Sequence, residues 1–546
     1  MAIVKQRLTN LKTRKETGLD FVVSAINLQT PFGVKQIKEK EPFFPGQEEA
    51  LKEELMRIQK MMDIANASPK EIGLLLETFM VVKDNTFSIE RAGTSVLSVV
   101  EIFELKSLLL QMEKIKNLAE KLSFPKEFVP EDTEALLDVL DPGGDRLNTF
   151  YIYDSFSEKL GNLRREKKEK DREIRKQQKV GKELVKQKYG LSLTPKFEMV
   201  VSKSDQNSIK MIDEISEMTR TDEDYMSVTF SLTPTEEVEK LMKECDGLMS
   251  MIEDEELNVR EMLSKEISKY EAVLLENCHR IGELDITLSK ALYAEKHNCV
   301  MPEITTEHIL EFEDGRNLQL EEALRARKGG EYCPVSMALT DGVTCITGAN
   351  MGGKTISLKL AGMVAILAQY GFFVPCKKAR VGLSNYMQIL IGDSQSIERG
   401  LSSFGSEMEE LKEILDNSKD RSLLLIDEIA SGTNPAEGLA LTRSLVDHLK
   451  TRPYITLMTT HFETVKGDKD VKNLQVMGLA GADFDKLDKE LRYAKRIERI
   501  NIISKYMDYR LTVVDDAAEI PKDALNIAKM LGIDKGIIER AKDYIK

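Results

Sequence analysis

The chain has 546 residues, enough for three or four domains, and carries a formal net charge of −14 with 31% charged side chains. That balance excludes global electrostatic steering toward nucleic acid, so only a local basic patch could supply it. Six cysteines (Cys245, Cys278, Cys299, Cys333, Cys345 and Cys376) are scattered without C-x-x-C spacing, which indicates neither a zinc site nor a disulfide framework and suits reduced thiols of a cytoplasmic protein.

Residues 1–20 alternate basic and apolar side chains but have no signal-peptide core. Residues 1–150 show a mostly helical pattern, with Leu-rich amphipathic runs at 49–62 and 98–122 broken by Pro and Gly. From 153 to 188 an uninterrupted polar pattern predicts one long exposed helix. Residues 164–188 hold 12 Lys/Arg against 5 Asp/Glu, a run that could meet nucleic-acid phosphate or could be a solvated face laced by i,i+4 pairs. A short β-rich insert follows, with candidate strands at 197–203 and 225–232. The stretch 196–234 has 4 Lys/Arg and 8 Asp/Glu, an acidic balance that counts against gripping a phosphate backbone. The pattern then returns as helix from about 235 to 296.

The chemistry concentrates downstream. Gly348-Ala349-Asn350-Met351-Gly352-Gly353-Lys354-Thr355 satisfies G-x-x-x-x-G-K-T between the apolar strand Val343-Thr344-Cys345-Ile346-Thr347 and a helix from Ile356 onward. Such glycines let backbone N–H groups converge on phosphate oxygens at the positive end of a helix. Lys354 can neutralise the terminal phosphates of ATP, and the Thr355 hydroxyl can ligate Mg2+. The apolar run behind this cradle, 356–375, includes Lys359 and Gln369 and reads as a buried helix with no membrane span. Leu423-Leu424-Leu425-Ile426-Asp427-Glu428 reads as a central parallel strand that delivers two carboxylates to the sheet edge. Asp427 is assigned to Mg2+, and Glu428 to polarising the attacking water as general base.

Gly400-Leu401-Ser402-Ser403-Phe404, with a helical stretch from Glu407 to Leu415, lies where an ABC-type ATPase carries its signature segment. That likeness implies that Ser402 closes over the terminal phosphate held by a second chain. An ordinary helix N-cap is the other reading of Ser402 and Ser403. After the turn Gly432-Thr433-Asn434-Pro435, residues 455–461 read as a further strand ending in His461, placed to sense the terminal phosphate.

These stretches, together with Gly392-Asp393-Ser394-Gln395-Ser396-Ile397, the segment 427–438 and Thr459-Thr460-His461, make residues 300–470 resemble the MutS family, most closely its mismatch-independent branch. The resemblance implies a multidomain α/β architecture: an α-helical core and lever helices with a small β-containing clamp, then an ABC-type P-loop ATPase domain and a C-terminal helical element. In residue terms it implies a helical core over 1–150, levers over 151–300 with the clamp near 196–234, an ATPase domain over 301–500, and a helical dimerisation element over 501–546. It also implies a homodimeric, Mg2+-dependent ATPase associated with duplex or branched DNA. Thr30-Pro31-Phe32-Gly33 resembles the start of the family's core domain, and no mismatch-reading Phe-x-Glu segment precedes it. The chain stops at Lys546, where the branch often continues into a nuclease domain.

The length, the acidic clamp and the tail from Asp508-Tyr509-Arg510-Leu511 also resemble the truncated MutS-like ATPases that accompany cobalamin-dependent lysine or ornithine aminomutases. That implies a protein client, an aminomutase to be reactivated, in place of DNA. No D-x-H-x-x-G cobalamin motif is present, so this chain would not itself carry the cofactor.

Overall fold

A computed structural model describes residues 7–326, 332–348, 353–392, 403–460, 468–479, 482–493, 502, 505–514 and 523–545. The chain forms two units, Val81–Arg280 and the combination of Met1–Met80 with Ile281–Lys546; the division falls within the helix Glu271–Lys296.

In Val81–Arg280, apolar periodicity and caps set the helices. Val99–Lys121 starts at a reciprocal capping box, with Ser98 and Glu101 satisfying each other's backbone N–H groups. It buries Lys106, whose ammonium pairs with Asp141 at 2.9 Å. The long polar helix runs Glu158–Tyr189, is capped by Ser157 and ends at left-handed Gly190. The returning segment is two helices, Glu236–Ser268 and Glu271–Lys296, not one. Lys269 and Tyr270 donate to Glu266 and Ile267 in tight i→i−3 bonds, a local overwinding that involves neither Gly nor Pro.

Three strands, β1 (Glu198–Ser202), β2 (Met218–Glu223) and β3 (Ser227–Leu232), form an antiparallel sheet of order β1-β3-β2 with its own core around Phe230, Ile212 and Val185. β2 was not expected from the sequence. Only Met218 of its six residues is buried, so it has no alternating pattern, and its ladder with β3 holds it in place.

The other unit contains the sheet that positions the site. Residues β4 (Glu303–Thr305), β5 (Ile309–Gly315), β6 (Val335–Thr340) and β8 (Lys378–Gly382) form a four-stranded sheet of order β4-β8-β5-β6. The six-stranded sheet is built from β7 (Gly342–Thr347), β9 (Tyr386–Ile391), β10 (Ser422–Asp427), β11 (Tyr454–Thr459), β12 (Val471–Gly478) and β13 (Asp508–Val513). Its order is β13-β12-β7-β11-β10-β9, parallel except for β13 at one edge. Every residue of β10 is buried, as a strand covered on both faces requires.

The Lys354–Gln369 helix packs on β10 and β11. A helix at Phe484–Tyr493, between β12 and β13, was also not foreseen; it joins Asp523–Met530 around Leu479, Leu487, Leu491, Met507 and Ile527. Among the described residues no helix is long and apolar enough to cross a membrane.

Candidate active site

β7, β10 and β11 end side by side, and this common edge gathers the polar groups. Gly348 follows β7 with φ of 133°, and Gly353 precedes the helix with φ of 80°, both in the region that favours glycine. A Cβ on Gly353 would lie 2.9 Å from the ring of Tyr509, so that approach is closed to larger residues as well. The helix beginning at Lys354 has Gly353 as its N-cap and no side-chain cap, so its positive end faces the glycine turn.

Lys354 is 2% exposed. Its ammonium donates to the Gly348 carbonyl at 2.9 Å and pairs with Glu428 at 3.1 Å. Burial pulls its pKa below the usual lysine range, and the Glu428 carboxylate works in the opposite direction. The Thr355 hydroxyl donates to Asp427 Oδ2 at 2.8 Å, and Thr459 donates to Asp427 Oδ1 at 2.5 Å. A hydroxyl and a carboxylate so placed are the hard oxygen donors that Mg2+ takes from a P-loop site. The residues present therefore fit Mg-ATP: a helix N-terminus without a side-chain cap and a lysine for the phosphates, and an oxygen pair for the metal.

Glu428 sits at φ of 46°, a left-handed conformation uncommon outside glycine, held by N–H donation to both the carbonyl and the hydroxyl of Thr459. Two residues on, Ala430 is also left-handed, and its N–H donates to Glu407 Oε2 at 3.1 Å. Burial pushes the Glu407 carboxyl up. Neither Thr459 nor Glu407 was assigned a role from sequence. Both lie inside stretches that carried the family resemblance, which was the available signal.

The structure thus brings together Gly348, Gly353, Lys354, Thr355, Asp427 and Glu428. Ala349, Asn350, Met351, Gly352, Ser402 and His461 lie outside the described residues.

The basic run is partly neutralised within its own unit. Arg164 pairs with Glu256 and Asp154, Lys170 with Glu244, Lys167 with Asp171 and Lys188 with Glu217. Lys168, Arg172, Arg175, Lys179 and Lys186 are exposed, make no ion pair among the described residues and recur at three- and four-residue steps or their sum, so they form one helical stripe.

Residues 344–544 match the family model "MutS domain V", the ATPase domain of MutS proteins. The chain is 32% identical over 289 residues to "Endonuclease MutS2" of Shouchella clausii, a match covering 52% of this chain and 33% of that protein. The protein of the same name from Clostridium botulinum strain Langeland is 32% identical over 269 residues, 48% of this chain and 30% of the relative. "DNA mismatch repair protein MutS" of Salinibacter ruber is 29% identical over 302 residues, 52% and 30% respectively. The matches span about half of this chain and about a third of the length of these relatives.

Proposed function

Starting from homology to MutS2 and MutS proteins over half the chain, we propose that this protein binds and hydrolyses Mg-ATP as a homodimer and uses the cycle to move its long helices, in association with DNA. The observation that carries this reading is the convergence of Lys354, Thr355, Asp427 and Glu428 at one sheet edge. Thr355 and Asp427 would hold the metal, which supplies charge neutralisation on the phosphates. Lys354 exchanges its Glu428 partner for phosphate oxygen, and the Glu428 carboxylate, once released, accepts a proton from water. Ser402 of a second chain and His461 complete the proposed site.

At the far end of the Lys354–Gln369 helix, contacts within the same unit tie the cradle to residues after 280 of the helix Glu271–Lys296. Lys290, on the helix Glu271–Lys296, donates to the Gly371 carbonyl at 3.0 Å and lies 3.5 Å from that of Tyr370, capping the cradle helix. Asp285 on the same helix accepts from the N–H groups of Gln29 and Thr30 and from the Thr30 hydroxyl.

The DNA-associated reading draws on the names of the relatives and on the basic stripe. The acidic clamp favours a second reading, in which the cycle acts on a protein client such as a cobalamin-dependent aminomutase. The common core is tested by nucleotide binding: Lys354→Ala should lower ATP affinity by roughly 10²-fold, since one buried charge-assisted donor is lost. Equal ATP affinity in the variant and the wild type would refute the cradle.

A further inference from the structure

The tip of the three-stranded sheet presents an anchor that the ATPase reading does not use. β2 and β3 are joined by Asp224-Tyr225-Met226, where hairpin turns usually place Asn or Gly. This turn is rigid. Asp224 N–H donates to the Ser227 carbonyl at 3.0 Å, and the Asp224 carboxylate accepts from Met226 N–H and Ser227 N–H, each at 2.7 Å, and from the Ser227 hydroxyl at 3.0 Å. Lys203 N–H donates to the Met226 carbonyl at 2.8 Å, so β1 also holds the turn.

On this fixed frame Tyr225 is 98% exposed and Met226 77% exposed. No local contact accounts for them. A tyrosine held on a stiff backbone exposes a large amphipathic surface at low entropic cost, which is the property of an interface anchor.

The surroundings select the partner. Asp222, Glu223 and Asp224 flank the anchor and are all exposed. Lys203 pairs with Glu223 at 2.7 Å and Arg220 with Asp213 and Glu223, so both cations are neutralised and Glu223 with them, while Asp222 and Asp224 make no ion pair among the described residues. A phosphate backbone would meet net negative charge here.

We propose that the Tyr225–Met226 turn docks a cationic polypeptide segment that carries an apolar side chain: the apolar pair fills against the segment and the acids hold its Lys or Arg residues. This goes beyond nucleotide hydrolysis and does not depend on it.

The test selects phage-displayed random peptides on the full chain, with the Tyr225→Ser/Met226→Ser double variant as the counter-selection. The substituted side chains hold none of the turn's hydrogen bonds, so the variant should keep the wild-type circular dichroism and melting curve. The expected result is that enriched peptides have net positive charge and an apolar residue. A synthesised winner should bind the wild type about tenfold more tightly than the variant, and more weakly as salt rises. The proposal is overturned by an absence of enrichment, by neutral or acidic winners, or by winners that bind the variant equally well. It is also overturned if the double variant loses affinity for a DNA duplex that the wild type binds, since the tip would then serve nucleic acid. Loss of ATP binding in Lys354→Ala leaves this result unchanged, so the two readings fail separately.

Discussion

Lys290→Met should destabilise the unit that holds the candidate site by about 3 kcal/mol. The ammonium is 1% exposed and lies 3.1 Å from Glu54, within hydrogen-bond reach of two carbonyls and 4.5 Å from the centre of the Phe372 ring. Removing one partner of a buried pair costs roughly 3–5 kcal/mol, and the lower end applies because Lys40 stays 3.0 Å from Glu54.

The Glu54 carboxyl supports the same direction. Burial opposes its ionisation, but Lys290 and Lys40 outweigh burial and lower its pKa from 4.5 to about 2. That displacement belongs to both lysines together, so it supports the direction of the Lys290→Met effect and does not set its size. Because the folded value is the depressed one, this stability is fully present above pH 4.5 and is lost as pH falls through about 2. Urea unfolding followed by circular dichroism suits a chain without tryptophan. One transition should move down by roughly 1 M urea in the variant while the other stays in place. Lys290→Met/Glu54→Gln should cost less than the sum of its single changes by at least about 1 kcal/mol. Unchanged midpoints, strictly additive single changes, or an acid profile of Lys290→Met identical to that of the wild type would refute the buried pair as a fastening between the helices Glu48–Ala67 and Glu271–Lys296.

Thr459→Val removes the hydroxyl that donates to Asp427 and accepts from Glu428 N–H. It should lower kcat with little change in ATP affinity, and cost about 1–2 kcal/mol of stability, read by steady-state hydrolysis and thermal melting. Arg172→Glu/Arg175→Glu inverts the middle of the unpaired stripe. If the stripe meets duplex phosphates, fluorescence anisotropy should show weaker binding and a salt slope reduced by about 2, whereas an unchanged slope would assign it to solvent.

What the sequence disclosed depended on how local each signal was. The cradle was legible because its glycines, lysine and threonine are contiguous and flanked by an apolar strand and an apolar helix. β10 was legible because four consecutive apolar residues, Leu423 to Ile426, run into two acids. The Lys354–Glu428 pair joins residues far apart in sequence, and it exists only because β10 and β7 both neighbour β11 in the sheet. Asp285 and Lys290 are two among many polar residues of a mixed helix, and their partners, Gln29 and Thr30 for the one and Glu54 and Gly371 for the other, lie in distant segments, which no periodicity marks. The break at Lys269 and β2 were missed for a related reason: neither is set by its own residues' propensities. The charge of 164–188 was countable, but which cations remain unpaired depended on neighbouring residues such as Glu244, Glu256 and Glu217.

ATP turnover and molar mass, measured together on wild type and Glu428→Gln with Mg2+ present, decide whether this sheet edge is a hydrolytic site. The variant should bind ATP, lose roughly 10²–10⁴-fold in turnover, and accumulate as a nucleotide-loaded dimer. A Glu428→Gln protein that hydrolyses ATP at the wild-type rate, or a wild type that is monomeric and inert toward ATP under all conditions, would contradict that assignment.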